Sequence, residues 1–467
     1  MAFLIGGANT ESAAYEIDNS LMFNGGGNAE DVYLTRDYSS AGNQVTWTFS
    51  CWIKRTTLGE ERPIFAAQAQ ADLSSGDPLF GLFFHTTDQL RIWTNAGNAS
   101  IYTNRVFRDV GAWYHIHLKA SSSSPYYNLY INGVEETSFN TDNRSSYPGG
   151  NDTYVNSGNP HFIGGWRNGS IMSPGMYLAD VAIVDGTAHA PTDFAKTNDN
   201  GVWVPKKPNV SAWGTNGCFL EFKQTGTSAN ASGIGADTSG QDNHMSVVSL
   251  AATDVTTDTP TNNFCTLNPA GGTNSSGKWT FSEGNRKIQQ NDNGSWRATG
   301  STMAVSKGKW YWEIEFDAGT LDEIFVGFHD TSVSLEGTNR WLAGSLLFYN
   351  HIGGEVRLDG TDSAADYGEL EHGDILGVAL NMDDNQITFY DNGSAIASNF
   401  GLSSYITGFA MPTFMADYDD VVYKVNFGNP PFSIASGNAD ANGYGNFEYT
   451  VPTNYYALCT KNLAEFG

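Results

Sequence analysis

Strict two-residue alternation of apolar and polar side chains, closed by tight-turn dipeptides, is what most constrains the fold of this chain. In segment 46–55, Trp47, Phe49, Cys51 and Ile53 point one way, and Thr48, Ser50, Trp52 and Lys54 the other. In 113–120, Tyr114, Ile116, Leu118 and Ala120 form an apolar face opposite Trp113, His115, His117 and Lys119. Leu129 and Ile131 run into Asn132-Gly133, a hairpin signal because a type I′ turn needs φ > 0 at both central residues. Segment 177–188 repeats the pattern and passes through Asp185-Gly186. A second alternating block begins near residue 300. Trp310, Trp312, Ile314 and Phe316 lie opposite Tyr311, Glu313, Glu315 and Asp317. Leu376, Val378, Leu380 and Met382 then alternate inward, the chain turns over 383–386, and Ile387 and Phe389 return before an Asp391-Asn392-Gly393 turn. A period of two specifies strands, and one-sided apolar alternation predicts antiparallel sheets with one face on a core and one in water.

No stretch shows a capped amphipathic helix; short helical turns are expected only near 191–196 and 460–466. The predicted fold class is therefore all-β, with two antiparallel β-sandwich (jelly-roll-like) domains joined by a loop-rich packed connector. A length of 467 residues suits two or three domains. The 52 glycines and a charged share of only 16% suit many tight turns between short strands. The expected boundaries are an N-terminal anchoring segment at 1–17, a sandwich at 18–205, a connector packed on the sandwiches at 206–261, a second sandwich at 262–432 and a docking tail at 433–467. The tail carries Tyr444, Phe447, Tyr449, Tyr455 and Tyr456, and is expected to dock on this chain or on a partner.

Lys and Arg number 24 against 50 Asp and Glu, a formal charge of −26. That field repels phosphate backbones, and the densest basic cluster is Lys206-Lys207, so neither nucleic acid nor an anionic membrane is an expected partner. No apolar run is long enough for membrane insertion, and the N-terminal residues lack the charged start and apolar run of a signal peptide. The sequons at Asn168 and Asn209 are therefore given no weight. Cys51, Cys218, Cys265 and Cys459 show no metal-site spacing; Cys51 reads as a buried free thiol, and any disulfide pairing stays open.

Two known families emerge from these segments. Residues 18–205 resemble the laminin-G-like, concanavalin A-like lectin/glucanase superfamily, through SLMFNGGGNAEDVYLTR, TWTFSCWIKR, AWYHIHLKA, LYINGVEETSF and YLADVAIVDGTA. Residues from about 262 to 432 resemble a SPRY domain, through GKWYWEIEFD, IFVGFHD, GDILGVALNMDDNQITFYDNG and VNFGNPPF. The whole arrangement, with TNGCFLEF, DTSGQDNHMSV and DTPTNNFCTLNP between the two, resembles bacteriophage virion proteins of the tail-fibre or appendage type. That resemblance implies a virion location, contacts with other virion subunits, a homo-oligomer and binding to host-surface polysaccharide.

Catalytic constellations are near-misses. Glu313, Glu315 and Asp317 are similar to the acidic strand of glucanases, but the order is Glu-x-Glu-x-Asp rather than Glu-x-Asp-x-Glu, and a solvated strand face is expected instead. His115 and His117 share a face without a nearby carboxylate, and a wet or partly packed face is expected. The 272–278 stretch approximates a phosphate-binding loop, but Trp279 stands where Ser or Thr is needed. Asp383-Asp384-Asn385 and Asp417-Tyr418-Asp419-Asp420 offer oxygens of the kind calcium takes, yet they read as turn residues. By analogy with lectin-like sandwiches, Asp180 is the calcium candidate; no other metal or cofactor is expected. No catalytic residue is assigned.

Sugar recognition needs flat apolar rings for C–H faces, with amides and carboxylates for hydroxyls. Trp93, Tyr102, Trp166, Asn168 and Trp341 offer such mixtures, and the 166–169 loop is the favoured position. The expected function is thus a phage virion structural protein of the tail or a surface appendage that binds host glycan. Pure architectural decoration of capsid or tail is the alternative, and glycan hydrolysis the third.

Overall fold

The computed structural model describes residues 4–5, 15–24, 32–68, 78–94, 99–145, 154–168, 170–172, 175–271, 277–292, 294, 296–335, 344–350, 353–358, 361–362, 365–402, 406 and 408–467. The chain divides into two compact units, Glu11–Thr261 and Asn262–Gly467 with Met1–Thr10. Both are built of antiparallel sheets, as the alternation predicts.

Among the described residues the first unit has two eight-stranded sheets. One runs Val134–Glu135, Tyr127–Ile131, Trp113–Ala120, Trp47–Arg55, Met176–Asp185, Ser20–Phe23 and Val255–Thr256, with Cys218–Leu220 also paired to Met176–Asp185. The other runs Phe139–Thr141, Ala99–Val106, Gln89–Thr94, Pro78–Phe84, Arg62–Gln68, His161–Ile163, Tyr33–Arg36 and Ser246–Val248. Trp47, Phe49, Cys51 and Ile53 meet Phe65, Phe80, Leu82, Leu90 and Ile92 in the core between the sheets. The Asn132-Gly133 turn has φ of 48° and 77°, the left-handed pair its sequence demands.

The expected wet face of the first sheet is instead covered. Every residue of Trp47–Arg55 is buried. Trp52 and Ala179 pack with Ile17, Ala195, Trp113 and Trp203. Lys54 Nζ reaches Asp258 Oδ2 at 2.8 Å with both side chains out of water. The covering segments come from far along the chain, so local periodicity does not reveal them. The 206–261 stretch, expected to pack on one or both sandwiches as extended segments, contributes strands to the first unit. Its Cys218–Leu220, Ser246–Val248 and Val255–Thr256 strands complete both sheets of this unit.

In the second unit, one sheet runs Trp279–Ser282, Lys287–Gln290, Val422–Asn426, Lys309–Ala318, Ile375–Asn381, Gln386–Asp391 and Ser394–Gly401. Its partner runs Arg297–Gly300, Ala410–Ala416, Ile324–Asp330, Ser345–Asn350, Glu355–Leu358 and Thr361–Asp362. Trp310, Trp312, Ile314 and Phe316 fill the core between them with Val326, Phe328, Leu376, Val378 and Phe414. Leu4–Ile5 pairs in parallel with Met303–Ala304.

The 433–467 tail docks within this unit. Tyr456–Ala457 adds a short parallel pairing to Trp310–Tyr311, and a helix spans Thr460–Phe466. Phe447, Ala457 and Cys459 pack on Phe264, Tyr311 and Ala379. Two buried carboxylates fix this arrangement. Glu313 accepts the backbone N–H groups of Glu448 (2.9 Å) and Tyr449 (2.8 Å), with Asn426 Nδ2 and Tyr311 OH also donating. Asp440 accepts the N–H groups of Tyr444 and Ala457 and the amide of Asn462. All four cysteines are free and buried.

Candidate functional site

The site is built on the outward face of the first unit's second sheet. In Gln89–Thr94, Leu90 and Ile92 enter the core, which turns Arg91 and Trp93 outward. Residues directly opposite in register share a face. Arg91 faces Phe83 on one side and Tyr102 on the other. Trp93 faces Gly81, Gly81 faces Ala66, and Ala66 faces Phe162. Gly81, Ala66 and Phe162 in this row are buried, and Trp93 at its end is partly exposed. Trp93 belongs with Tyr33, Ala66, Phe83 and Phe162 in one apolar cluster on this face. The backbone of the Trp166–Asn168 strand, paired with Ser170–Met172, lies against the neighbouring Arg62–Gln68 and Pro78–Phe84 strands.

Polar groups gather beside the rings. The Arg91 guanidinium lies 4.8 Å from the Tyr102 ring centre and 5.2 Å from that of Phe83, within cation–π range. Glu61 Oε1 is 3.9 Å from Arg91 Nη1 and 3.7 Å from His85 Nε2. His85 meets the Tyr102 ring edge-on at 5.2 Å, and its Nδ1 is 3.0 Å from Thr87 Oγ1. Burial pulls the His85 pKa below its ordinary value, helped by the Arg91 charge and opposed by Glu61, so the imidazole is neutral at physiological pH. The side chains of Glu61, His85 and Arg91 are each 17–24% exposed, held in place yet within reach of a ligand. Two aromatic faces, a guanidinium, a carboxylate and a neutral imidazole can stack on a sugar ring and bond its hydroxyls. Glu61 supplies the carboxylate of these contacts.

Of the residues expected to bind sugar, Trp93 and Tyr102 lie on this face, Trp93 opposite Ser100 and Tyr102 opposite Arg91. Trp166 and Asn168 belong to the adjoining hairpin, and their side chains lie outside the described residues. Trp341 also lies outside them, in a stretch assigned to the other unit. Arg91, His85, Glu61 and Phe83 were not anticipated; a sequence signal exists in QLRIWT, where Arg and Trp occupy the outward positions of an alternating strand.

Asp180 sits at a bulge of the Met176–Asp185 strand with φ of 47°, and Tyr15 OH donates to its Oδ2 at 2.9 Å. Among the described residues no group of three or more His, Cys, Asp or Glu could hold a metal. The expected wet histidines are buried. Trp203 Nε1 donates to His115 Nδ1 at 3.1 Å, Ser50 Oγ lies 2.8 Å from His115 Nε2, and His117 Nε2 is 3.1 Å from the His189 carbonyl. Because an indole N–H only donates, His115 is neutral and both its nitrogens are engaged.

Glu313 is likewise not on a solvated face: it is 0% exposed and binds the tail. Glu315 and Asp317 pair with Lys424, and Asp317 also with Lys287. Asp384 accepts Lys309 and Asn381, and Asp420 accepts the Thr320 N–H, which are turn roles. Residues 272–276 of the phosphate-loop-like stretch lie outside the described residues.

No curated protein matches the chain. Among solved structures, the SPRY domain of human HERC1 is 16% identical, covering 30% of this chain and 87% of its own, with a TM-score of 0.27. The TRIM65 PSpry domain is 12% identical, with coverage of 35% and 89% and a TM-score of 0.29. A heptameric SAP-like pentraxin from Limulus polyphemus is 20% identical, with coverage of 43% and 90% and a TM-score of 0.31. Residues 26–190 match the family model of the concanavalin A-like lectin/glucanases superfamily (Laminin_G_3), and residues 309–430 match that of the SPRY domain.

Proposed function

We propose that the first unit binds a host-surface polysaccharide through the outward face of its second sheet, and that the chain serves as a structural, adhesive component of a bacteriophage virion, in the tail or a surface appendage. The observation that carries the binding reading is the partly exposed Trp93, Arg91 and Tyr102 on one sheet face, set in a segment that matches a lectin-type domain. The partly exposed rings of Trp93 and Tyr102 offer surfaces for a sugar ring, and Glu61, His85 and Arg91 supply one acceptor and two donors for hydroxyls.

The virion role rests on the linear arrangement of the lectin-type domain, the intervening segments and the SPRY domain, which resembles that of phage appendage proteins. Partner subunits, including further copies of the chain, belong to that reading. Two experiments test it. The purified chain is screened against polysaccharides from bacterial surfaces, and phage particles are probed with an antibody to the 433–467 tail. Saturable glycan binding and labelled particles are expected. Labelled particles with no glycan binding would favour architectural decoration, and unlabelled particles would sink the virion role.

A further inference from the structure

A pocket of about 200 Å³ lies in the second unit, lined by Gly308, Lys309, Asp383, Asn454, Tyr456 and Phe466. Parallel pairing of Tyr456–Ala457 with Trp310–Tyr311 brings Tyr456 to the start of the Lys309–Ala318 strand. There it stacks on Phe466 of the terminal helix, with ring centres 3.9 Å apart and planes within 10°. Both rings are half-buried, so the stack is held but not closed off. Gly308 has φ of +81°, and a Cβ on it would come within 2.8 Å of the Phe466 carbonyl and 2.9 Å of the Trp310 ring. Only glycine fits here, which leaves this wall of the pocket without a side chain.

Polar groups ring the aromatic stack. Asp383 Oδ1 accepts the Gly308 N–H at 2.8 Å, and Lys309 Nζ bonds Asp384 Oδ2 at 2.9 Å. Asn454, exposed and left-handed at φ of 64°, adds an amide. Among the lining residues the Lys309 ammonium and the Asp383 carboxylate cancel, and Asp384 holds that ammonium from beside the pocket, so no net positive charge favours an acidic ligand. The volume falls below the roughly 300–1,000 Å³ of sites for drug-sized ligands. An aromatic platform of one-ring size, bordered by donors and acceptors without net positive charge, matches a neutral sugar.

We propose that this pocket is a second binding site, for a single neutral pyranose ring, separate from the face on the first unit. It stands on other residues, so it survives or fails independently of that face. With so few contacts the affinity is weak, with a Kd on the order of 1 mM.

Saturation-transfer NMR and titration with methyl α-D-glucopyranoside, methyl α-D-mannopyranoside and D-glucuronate test it on the full chain. Lys309→Met keeps the apolar stem, and Asn454→Gly keeps the left-handed turn, so both are expected to fold; melting curves check this. A Trp93→Ala/Tyr102→Ala variant removes the other face. Saturable binding of at least one neutral glycoside is expected. It should weaken about tenfold in each pocket variant and persist in the Trp93→Ala/Tyr102→Ala variant, with glucuronate binding worst. The proposal is overturned by an absence of neutral-glycoside binding, by binding that both pocket variants leave untouched, or by a preference for glucuronate.

Discussion

Replacing Asp180 by Asn should stabilise the first unit, increasingly so as pH rises. Burial pushes the Asp180 carboxyl up from its ordinary 3.8 to about 7; the Tyr15 hydroxyl opposes this, and the Glu221 charge adds to it. The folded value thus lies above the unfolded one. Between pH 4 and 7 the native carboxyl keeps a proton that the unfolded chain has lost, so the native state binds more protons and stability falls as pH rises through that window. The full span corresponds to roughly 4 kcal/mol, present as a penalty at pH 8.

Asparagine keeps an oxygen for the Tyr15 hydroxyl, tolerates the left-handed φ of 47° and carries no charge. At pH 5.5 about half of the penalty has accumulated, so the advantage of Asp180→Asn should grow by roughly 2 kcal/mol between pH 5.5 and pH 8. Urea unfolding of the full chain at the two pH values measures this, with hydrogen-exchange peptides from 11–261 identifying the transition of this unit. A variant no more stable than wild type at pH 8, or a gap that stays constant with pH, would refute the reasoning.

Three further substitutions probe the packing. Glu313→Gln puts an amide where one carboxylate oxygen accepted two donors; it should cost about 2 kcal/mol and speed hydrogen exchange at the Glu448 and Tyr449 amides first. Unchanged protection at those amides would contradict the tail-clamp role. Lys54→Met takes the ammonium from the buried Asp258 carboxylate, leaving the Trp113 indole as a donor, and should cost about 3–5 kcal/mol by urea titration, where a surface pair would cost under about 1. Gly133→Ala sets a Cβ about 2.6 Å from the Trp203 ring at φ of +77°, and a loss of about 1–3 kcal/mol with an altered Trp fluorescence spectrum is expected.

The alternation in the sequence reveals the inward faces because that register is local. Trp47, Phe49, Cys51 and Ile53, and later Trp310, Trp312, Ile314 and Phe316, all reach their cores. What covers the opposite faces is not local. Lys54 reads as a wet lysine until residue 258 is brought to it, and Glu313 reads as a solvated acid until the 448–449 amides arrive. The strands at Cys218–Leu220, Ser246–Val248 and Val255–Thr256 are two or three residues long, too short to display a period. Trp93 and Tyr102 were legible as sugar-type residues, but their placement on one face depends on the register of two strands. Arg91, His85 and Glu61 joined them unannounced because charged or polar residues on an outward strand face are ordinary.

The most direct test of the glycan-binding face is calorimetric titration of a bacterial surface oligosaccharide, selected by the polysaccharide screen, into wild type, Trp93→Ala and Tyr102→Ala. Each loss of a stacking ring should weaken binding about tenfold or more, with melting temperatures close to wild type. Wild-type affinity in both variants would place recognition elsewhere and contradict the account.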